Sequence, residues 1–343
     1  HGTNDAPVVT SGEQSGGVAD VAETINPAAS AGDLSATGTI GFADVDLSDR
    51  PTAGFTLTST VPSSGLVLSS AQEAALEGAF AIAPGGANAN NGTVDWTYAI
   101  AESEVDFLAA GESVVLTYTV TVDDGHGGSV DQPVTITVTG ANDTPVIEAG
   151  TASLTELYDH TLDFSAHSVS GSLNFTDVDL NDVGHTASVI SVARSGETDG
   201  LPSGFFGNPL VLSYLHIDAV TKAAGSSSGQ IDYTFSAPDT QFDYLAKGQT
   251  VTLTYTVRLN DGDGGITTQT VAVTVTGTND RPLFLAGDVR VGYENADTTG
   301  SSVPETFNGL LVFGDADRDD VGHTASVTGF AATGTTAGLN AAD

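Results

Sequence analysis

One pattern recurs along this chain in a fixed register. Gly2-Thr3-Asn4-Asp5-Ala6-Pro7-Val8-Val9 returns as Gly140-Ala141-Asn142-Asp143-Thr144-Pro145-Val146-Ile147, and again as Gly277-Thr278-Asn279-Asp280-Arg281-Pro282-Leu283-Phe284. The steps are 138 residues from Asn4 to Asn142 and 137 from Asn142 to Asn279. Phe42-Ala43-Asp44-Val45-Asp46 matches Phe175-Thr176-Asp177-Val178-Asp179 and Phe313-Gly314-Asp315-Ala316-Asp317, while DVGHTASV occurs at both 182–189 and 320–327. A chain that repeats itself at this period folds as a row of one unit, not as a single large domain. The expected units are residues 1–140, 141–277 and a partial third at 278–343, which lacks any equivalent of 229–277 and should leave sheet edges open. With no methionine anywhere, the segment reads as a piece of something longer, with His1 as a tag remnant. Either the third unit is cut there or another chain supplies its strands.

Each unit reads as an all-β sandwich. Val114, Leu116, Tyr118, Val120 and Val122 alternate with Val115 and three Thr, and Val134, Ile136 and Val138 alternate with Thr, a period of two rich in β-branched residues. The glycine-rich stretch 123–128 between these runs predicts a hairpin loop, repeated at 261–265. Two helical turns are expected, at Ser103–Ala110 closed by Gly111 (with a counterpart ending at Gly248) and at Ala71–Phe80. The second falls where the copies differ most and is expected to be peripheral. Trp96, replaced by Tyr233 in the next copy, reads as a core aromatic.

The chemistry lies in the carboxylates. The chain has 44 acidic and 8 basic residues, a formal net charge of −36, which excludes nucleic acid and anionic membrane surfaces as partners and fits a chain that collects cations. It has no cysteine, so metal is the alternative staple. No apolar run reaches the ~20 residues of a membrane span. Each repeat offers three clusters of oxygen donors of the kind calcium takes. One is the linker pair Asn4-Asp5, Asn142-Asp143 and Asn279-Asp280. Another is the Asp-x-Asp loop Asp44/Asp46, Asp177/Asp179 and Asp315/Asp317, followed less regularly by Asp49, Asp182 and Asp320. The third is the hairpin loop, with Asp123 and Asp124, then Asp261 and Asp263. Loops of a sandwich gather at its ends, so these clusters can converge where one unit meets the next. The plainer reading is that Asp favours turns.

The Gly-Thr-Asn-Asp-x-Pro-Val signature after a Val-Thr-Val-Thr strand, with Asp-Gly-x-Gly-Gly between the last strands, resembles the VCBS repeat of giant RTX-type, type I-secreted bacterial adhesins. The layout also resembles cadherin repeats. These resemblances imply tandem Ig-like, cadherin-like sandwiches with Ca2+ between them. The ligands implied are Asn142, Asp143, Asp177, Asp179 and Asp261 at the middle junction, and Asn279, Asp280, Asp315 and Asp317 at the next, with Asn4, Asp5, Asp44, Asp46 and Asp124 as their counterparts at the start. Cadherins add acidic groups from the preceding domain. Asp106 and Asp243 lie near that place, although the cadherin Asp-Arg-Glu pattern is absent.

The expected function is a monomeric, non-enzymatic extender of a bacterial cell-surface adhesin, supporting cell adhesion or biofilm formation, with calcium and neighbouring repeats as its partners. The alternative is a module that binds surface glycans or proteins through a divergent stretch, 69–92 or 193–209, where Phe205-Phe206 is the only candidate aromatic pair. A hydrolase with paired Asp is the least favoured class, because the same clusters stand in every copy. An EF-hand is excluded, since Asp320 and Ser326 stand where Gly and Glu are needed. His185 and His323 read as structural.

Overall fold

The structure is a computed structural model that describes residues 2–22, 32–85, 89–160, 164–201, 209–293, 296, 303–304 and 306–334. Strand-forming, period-two sequence becomes long antiparallel strands. In repeat 1 these are β1 (Val8–Val9), β2 (Gln14–Ala19), β3 (Asp33–Ala43), β4 (Thr52–Pro62), β5 (Phe80–Gly85), β6 (Asn91–Ala101), β7 (Ser113–Asp123) and β8 (Ser129–Thr139). They form two sheets, β1-β3-β6-β5 and β2-β8-β7-β4, with β2 parallel to β8. Repeat 2 has β9 (Val146–Ile147), β10 (Gly150–Thr155), β11 (Ala166–Thr176), β12 (Thr186–Gly196), β13 (Leu215–Lys222), β14 (Ser228–Pro238), β15 (Thr250–Asn260) and β16 (Ile266–Thr276). Its sheets, β9-β11-β14-β13 and β10-β16-β15-β12, repeat the order of the first. Repeat 3 contributes β17 (Leu283–Gly287) paired with β18 (Leu311–Gly314). Among the described residues no helix is long and apolar enough to cross a membrane.

The alternation read from the sequence decides which side chains are buried. Val114, Leu116, Tyr118, Val120 and Val122 of β7 all face inward, each contributing about 1.5–3 kcal/mol by leaving water. Two separate cores result, one per sandwich. Trp96 is a core aromatic as expected, stacked on Phe80, which in turn stacks on Tyr118 with ring centroids 4.2 Å apart. The indole lies across Gly38, where a Cβ would come within 2.4 Å of the ring. Gly171 opens the same space for Tyr233 in repeat 2.

Two local expectations are corrected. The helix expected at Ser103–Ala110 is a 3₁₀ turn at Glu102–Glu104, matched by another at Asp239–Gln241. The second helix, α1 (Ser70–Gly78), does form, started by a capping box between Ser69 and Gln72. It is not peripheral. Leu76 is fully buried, and its carbonyl accepts hydrogen bonds from the hydroxyls of Tyr98 and Tyr118, at 3.1 and 3.3 Å. In repeat 2 the short α2 (Pro209–Leu212) takes over this task, the Val211 carbonyl accepting from the Tyr255 hydroxyl at 3.1 Å. A buried tyrosine needs an acceptor, so the connection diverges in sequence while keeping a carbonyl in place.

The described part of the third unit buries less than its counterparts. Leu173 and Phe175 of β11 are each 1% exposed, whereas their equivalents Leu311 and Phe313 are 63% and 46% exposed.

Candidate metal centres at the ends of the sandwiches

The Asp-x-Asp loop has the same internal wiring in all three copies. The first Asp accepts the backbone N–H of the second through Oδ1: Asp44 from Asp46 at 2.9 Å, Asp177 from Asp179 at 3.0 Å and Asp315 from Asp317 at 3.1 Å. These are the self-contained turns that Asp favours. The second Asp reaches back to the linker, accepting N–H through Oδ2. Asp46 binds Asp5 at 2.8 Å, Asp179 binds Asp143 at 2.8 Å, and Asp317 binds Asp280 at 2.7 Å. A turn bond from Asp49, Asp182 and Asp320 back to the second Asp places the third carboxylate.

The hairpin loop joins this head cluster through one aspartate only. Asp261 Oδ1 accepts three successive backbone N–H groups, from Asp263, Gly264 and Gly265 at 2.8–3.0 Å, while Oδ2 accepts the Asn142 amide at 3.1 Å. Asp124 is held likewise by His126, Gly128 and the Asn4 amide, and that amide, followed by the loop N–H groups, lowers its pKa. Asp123 and Asp263, also candidates from the sequence, are exposed and outside the cluster, and Asp123 merely caps Gly125. Asp44, Asp49 and Asp124 bring carboxylate oxygens within 4.8 Å of one another, as do donors of Asp177, Asp182 and His185, and of Asp315, Asp320 and His323. The histidines orient the first Asp: Nε2 lies 2.7 Å from Oδ2 in both His185–Asp177 and His323–Asp315. Asn279 donates to the carbonyl of its neighbour Asp280 at 2.8 Å.

A second cluster lies at the opposite, base end of each sandwich, and most of it escapes a reading from sequence. In repeat 1 it is Asp20, Glu102 and Asp106. In repeat 2 Glu156 and Asp243 join the linker Asp280, with Asp239 beside them. Asp106 and Asp243 were anticipated, whereas Asp20, Glu102, Glu156 and Asp239 were not. Asp20 and Glu156 follow the short strands β2 and β10, and they grip the outgoing linker. Asp20 Oδ2 accepts from Ala141 N–H at 3.3 Å, and Glu156 Oε2 from Thr278 N–H at 3.0 Å. Glu102 and Asp239 open the two 3₁₀ turns. The signal was present, since acids stand at both positions in both copies, but Asp and Glu are exchanged and no letter repeats.

The base of one sandwich meets the head of the next at each junction. Leu180, inside the second Asp-x-Asp loop, donates its N–H to Phe107 O at 3.4 Å and packs against the first core. Arg318, its equivalent, donates to Tyr244 O at 3.3 Å. Asn181 Nδ2 donates to Glu112 Oε1 at 2.8 Å, and Gln249 Nε2 to Asp319 Oδ2 at 2.7 Å. The base cluster, linker aspartate and head cluster therefore form one acidic column at each junction.

Electrostatics show the cost of gathering these carboxylates. Burial, followed by neighbouring carboxylates, raises Glu156 to about 9 and Asp179 to about 8, against the hydrogen bonds they accept. Asp20, Asp106 and Asp317 rise to about 6, again chiefly through burial. Glu102 is fully buried and neither of its oxygens meets a donor; Asp44 Oδ2, Asp179 Oδ1, Asp239 Oδ2 and Asp317 Oδ1 are likewise buried without one. In folded proteins buried carboxylate oxygens are as a rule hydrogen-bonded. The donors are carboxylate and amide oxygens with no sulfur, and the imidazole of the second and of the third head is already bonded through Nε2 to the first Asp. Such an oxygen-rich set suits a hard divalent cation such as Ca2+.

No family model and no curated protein sequence matches this chain. Among solved structures, it resembles a crystal structure of human CDH23 EC21-23, with 17% identity over 91% of this chain and 81% of that one and a TM-score of 0.38. It also resembles PcdhgB3 EC1-4, with 14% identity, coverage of 91% and 59%, and a TM-score of 0.40. Against mouse Cadherin-23 EC22-24 the values are 13%, 83%, 71% and 0.35. The chain spans 42% of the human Desmocollin-1 ectodomain, which it also matches.

Proposed function

We propose that this chain is a structural extender of a secreted bacterial surface adhesin, in which Ca2+ bound between repeats stiffens the row. The single observation that carries this reading is the acidic column. Buried carboxylates of the base, the linker and the next head converge, and several keep oxygens without a donor. Asp20, Glu102, Asp106, Asp143 and Asp179 would hold the ion at the first junction, and Glu156, Asp239, Asp243, Asp280 and Asp317 at the second. Asn142, Asp177, Asp182 and Asp261 would complete the head of repeat 2, as Asn4, Asp44, Asp49 and Asp124 would in repeat 1. A divalent ion supplies the positive charge that lets these groups stay ionised together. The chain's own residues set where it sits, because each linker aspartate is tied by its N–H to the following Asp-x-Asp loop.

The bacterial and cell-surface parts of the reading rest on the sequence likeness to VCBS repeats. For a ligand-binding module, α1 in the stretch 69–92 gives no support, since it is spent on the core; Phe205-Phe206 lies outside the described residues. The test is small-angle scattering with thermal melting, in calcium and then in chelator. The expected result is a longer, stiffer and more heat-resistant particle with calcium. The same scattering curve and the same melting temperature in both conditions would reject the proposal.

A further inference from the structure

The Asp-x-Asp loop of repeat 2 already contains a cation of its own. Lys222, at the end of β13, points its ammonium at the backbone of that loop. Nζ donates to the carbonyl of Asp179 at 2.5 Å and of Asp182 at 2.7 Å, with Leu180 O at 3.4 Å. In repeat 1 Asp46 answers to Asp179, and the carbonyls that answer to Leu180 and Asp182 are those of Leu47 and Asp49. There Arg50 Nη1 takes both, at 3.1 and 2.6 Å. The two cations come from unrelated places in the chain, one adjacent to its loop and one from a strand about forty positions later. Yet both bond the carbonyl of the third Asp and reach that of the Leu after the second Asp, while Lys222 also bonds the second Asp itself. Only 8 of the 343 residues are Lys or Arg, so two of them at equivalent points are not explained by abundance.

We propose that Lys222 and Arg50 are resident counter-cations of the Asp-x-Asp loops, positioning residues that hold each loop in its ligand-presenting shape before a divalent ion arrives. This rests on the reading of the junctions as calcium sites. The turn that presents the carboxylates also brings the carbonyls of Asp179, Leu180 and Asp182 together around one point, the Lys222 ammonium. Converging carbonyl dipoles repel, and carboxylates close by add to the repulsion. A fixed ammonium or guanidinium bonded to these carbonyls removes that cost through charge-assisted hydrogen bonds. Burial holds the pKa of Lys222 below the usual lysine value, and the carboxylates of Asp177, Asp182 and Asp179 only partly offset it, so the three carbonyl bonds are what place the ammonium here. Bound calcium would neutralise the same carboxylates, so the ion and the lysine would favour one conformation. The lysine therefore matters most when the ion is absent.

The test is hydrogen–deuterium exchange of the full chain, followed at residues 177–184 and 44–50, in chelator and in saturating calcium. Loss of charge-assisted hydrogen bonds in Lys222→Met should speed exchange of 177–184 by about tenfold or more in chelator. The difference from the unsubstituted chain should narrow in calcium. Lys222→Arg should restore slow exchange, and segment 44–50 should not change. Arg50→Met should give the reverse assignment. Unchanged exchange for Lys222→Met in chelator would overturn the proposal. So would an equal acceleration with and without calcium, which is the mark of lost packing alone. If the unsubstituted chain exchanges identically in both conditions, the calcium reading itself fails, a result distinct from either.

Discussion

Glu112 and Asn181 face each other across the first junction, the Asn181 amide donating to Glu112 Oε1 at 2.8 Å. The second junction holds Gln249 and Asp319 at the same two positions, 2.7 Å apart, with donor and acceptor exchanged. Either arrangement pairs one amide with one carboxylate. Crossing them does not, because a third-repeat head on the first base would set Asp against Glu112. The single substitution Asn181→Asp is thus expected to destabilise the first junction by about 0.5–1.5 kcal/mol, and Glu112→Gln combined with it to recover most of the loss. A double-mutant cycle on the melting of the two-repeat segment measures this coupling, and strictly additive losses would contradict it.

Glu102 offers the sharpest test of the base cluster. It is fully buried, with neither oxygen bonded to a donor, an arrangement that costs stability unless a cation meets those oxygens. Glu102→Gln should raise the melting temperature in chelator and lower it relative to the unsubstituted chain in calcium. Calcium affinity at the first junction should fall by about tenfold or more, the equivalent of losing one charged ligand. Calorimetric titration gives the affinity. A variant less stable than the parent in both conditions would show that Glu102 is merely a packed side chain.

The raised carboxylates set a pH dependence. Asp179 at about 8 and Glu156 at about 9 take up protons in the folded, metal-free chain that they would not hold when unfolded. Their contribution to stability is therefore full below the ordinary carboxylate range and is lost as pH rises through about 8 to 9. The metal-free chain should melt at progressively lower temperature between pH 6 and pH 9. At pH 7, calcium must displace those protons, so binding heats should change with the ionisation enthalpy of the buffer. Buffer-independent heats, with a flat melting profile in chelator, would be incompatible with these shifts.

What could be read from the sequence, and what could not, follows from the form in which it was written. Strands such as β7 and β15, the head aspartates and the linker pairs recur as identical letters, so register alone finds them. The base cluster recurs as a property: Asp20 answers to Glu156, and Glu102 to Asp239, with the acid kept and the residue changed. The helix α1 and the short α2 share no sequence, because all that repeat requires of them is one carbonyl for Tyr118 or Tyr255. The hairpin aspartates could not be sorted by pattern either. Asp124 and Asp123 are adjacent, and only the pleat of β7 decides which turns inward.

That sorting yields the last prediction, in repeat 2. Gly265 follows the hairpin loop, and a Cβ there would lie 2.0 Å from Asp261 Oδ2 and 3.1 Å from the backbone of Thr144. The backbone of Thr144 belongs to the linker, so the carboxylate is the part that must move. Displacing it breaks its bond to the Asn142 amide and withdraws it from the head cluster, while the core strands beneath are untouched. Gly265→Ala is therefore expected to weaken calcium binding at the first junction by about tenfold or more, with little change in far-ultraviolet circular dichroism. Asp263→Ala, two positions away, removes an exposed carboxylate that faces solvent and should leave affinity within about twofold. Calcium titration of both variants separates the cases: if Asp263→Ala weakens binding as much as Gly265→Ala, the hairpin acts through its overall charge and not through a single placed aspartate.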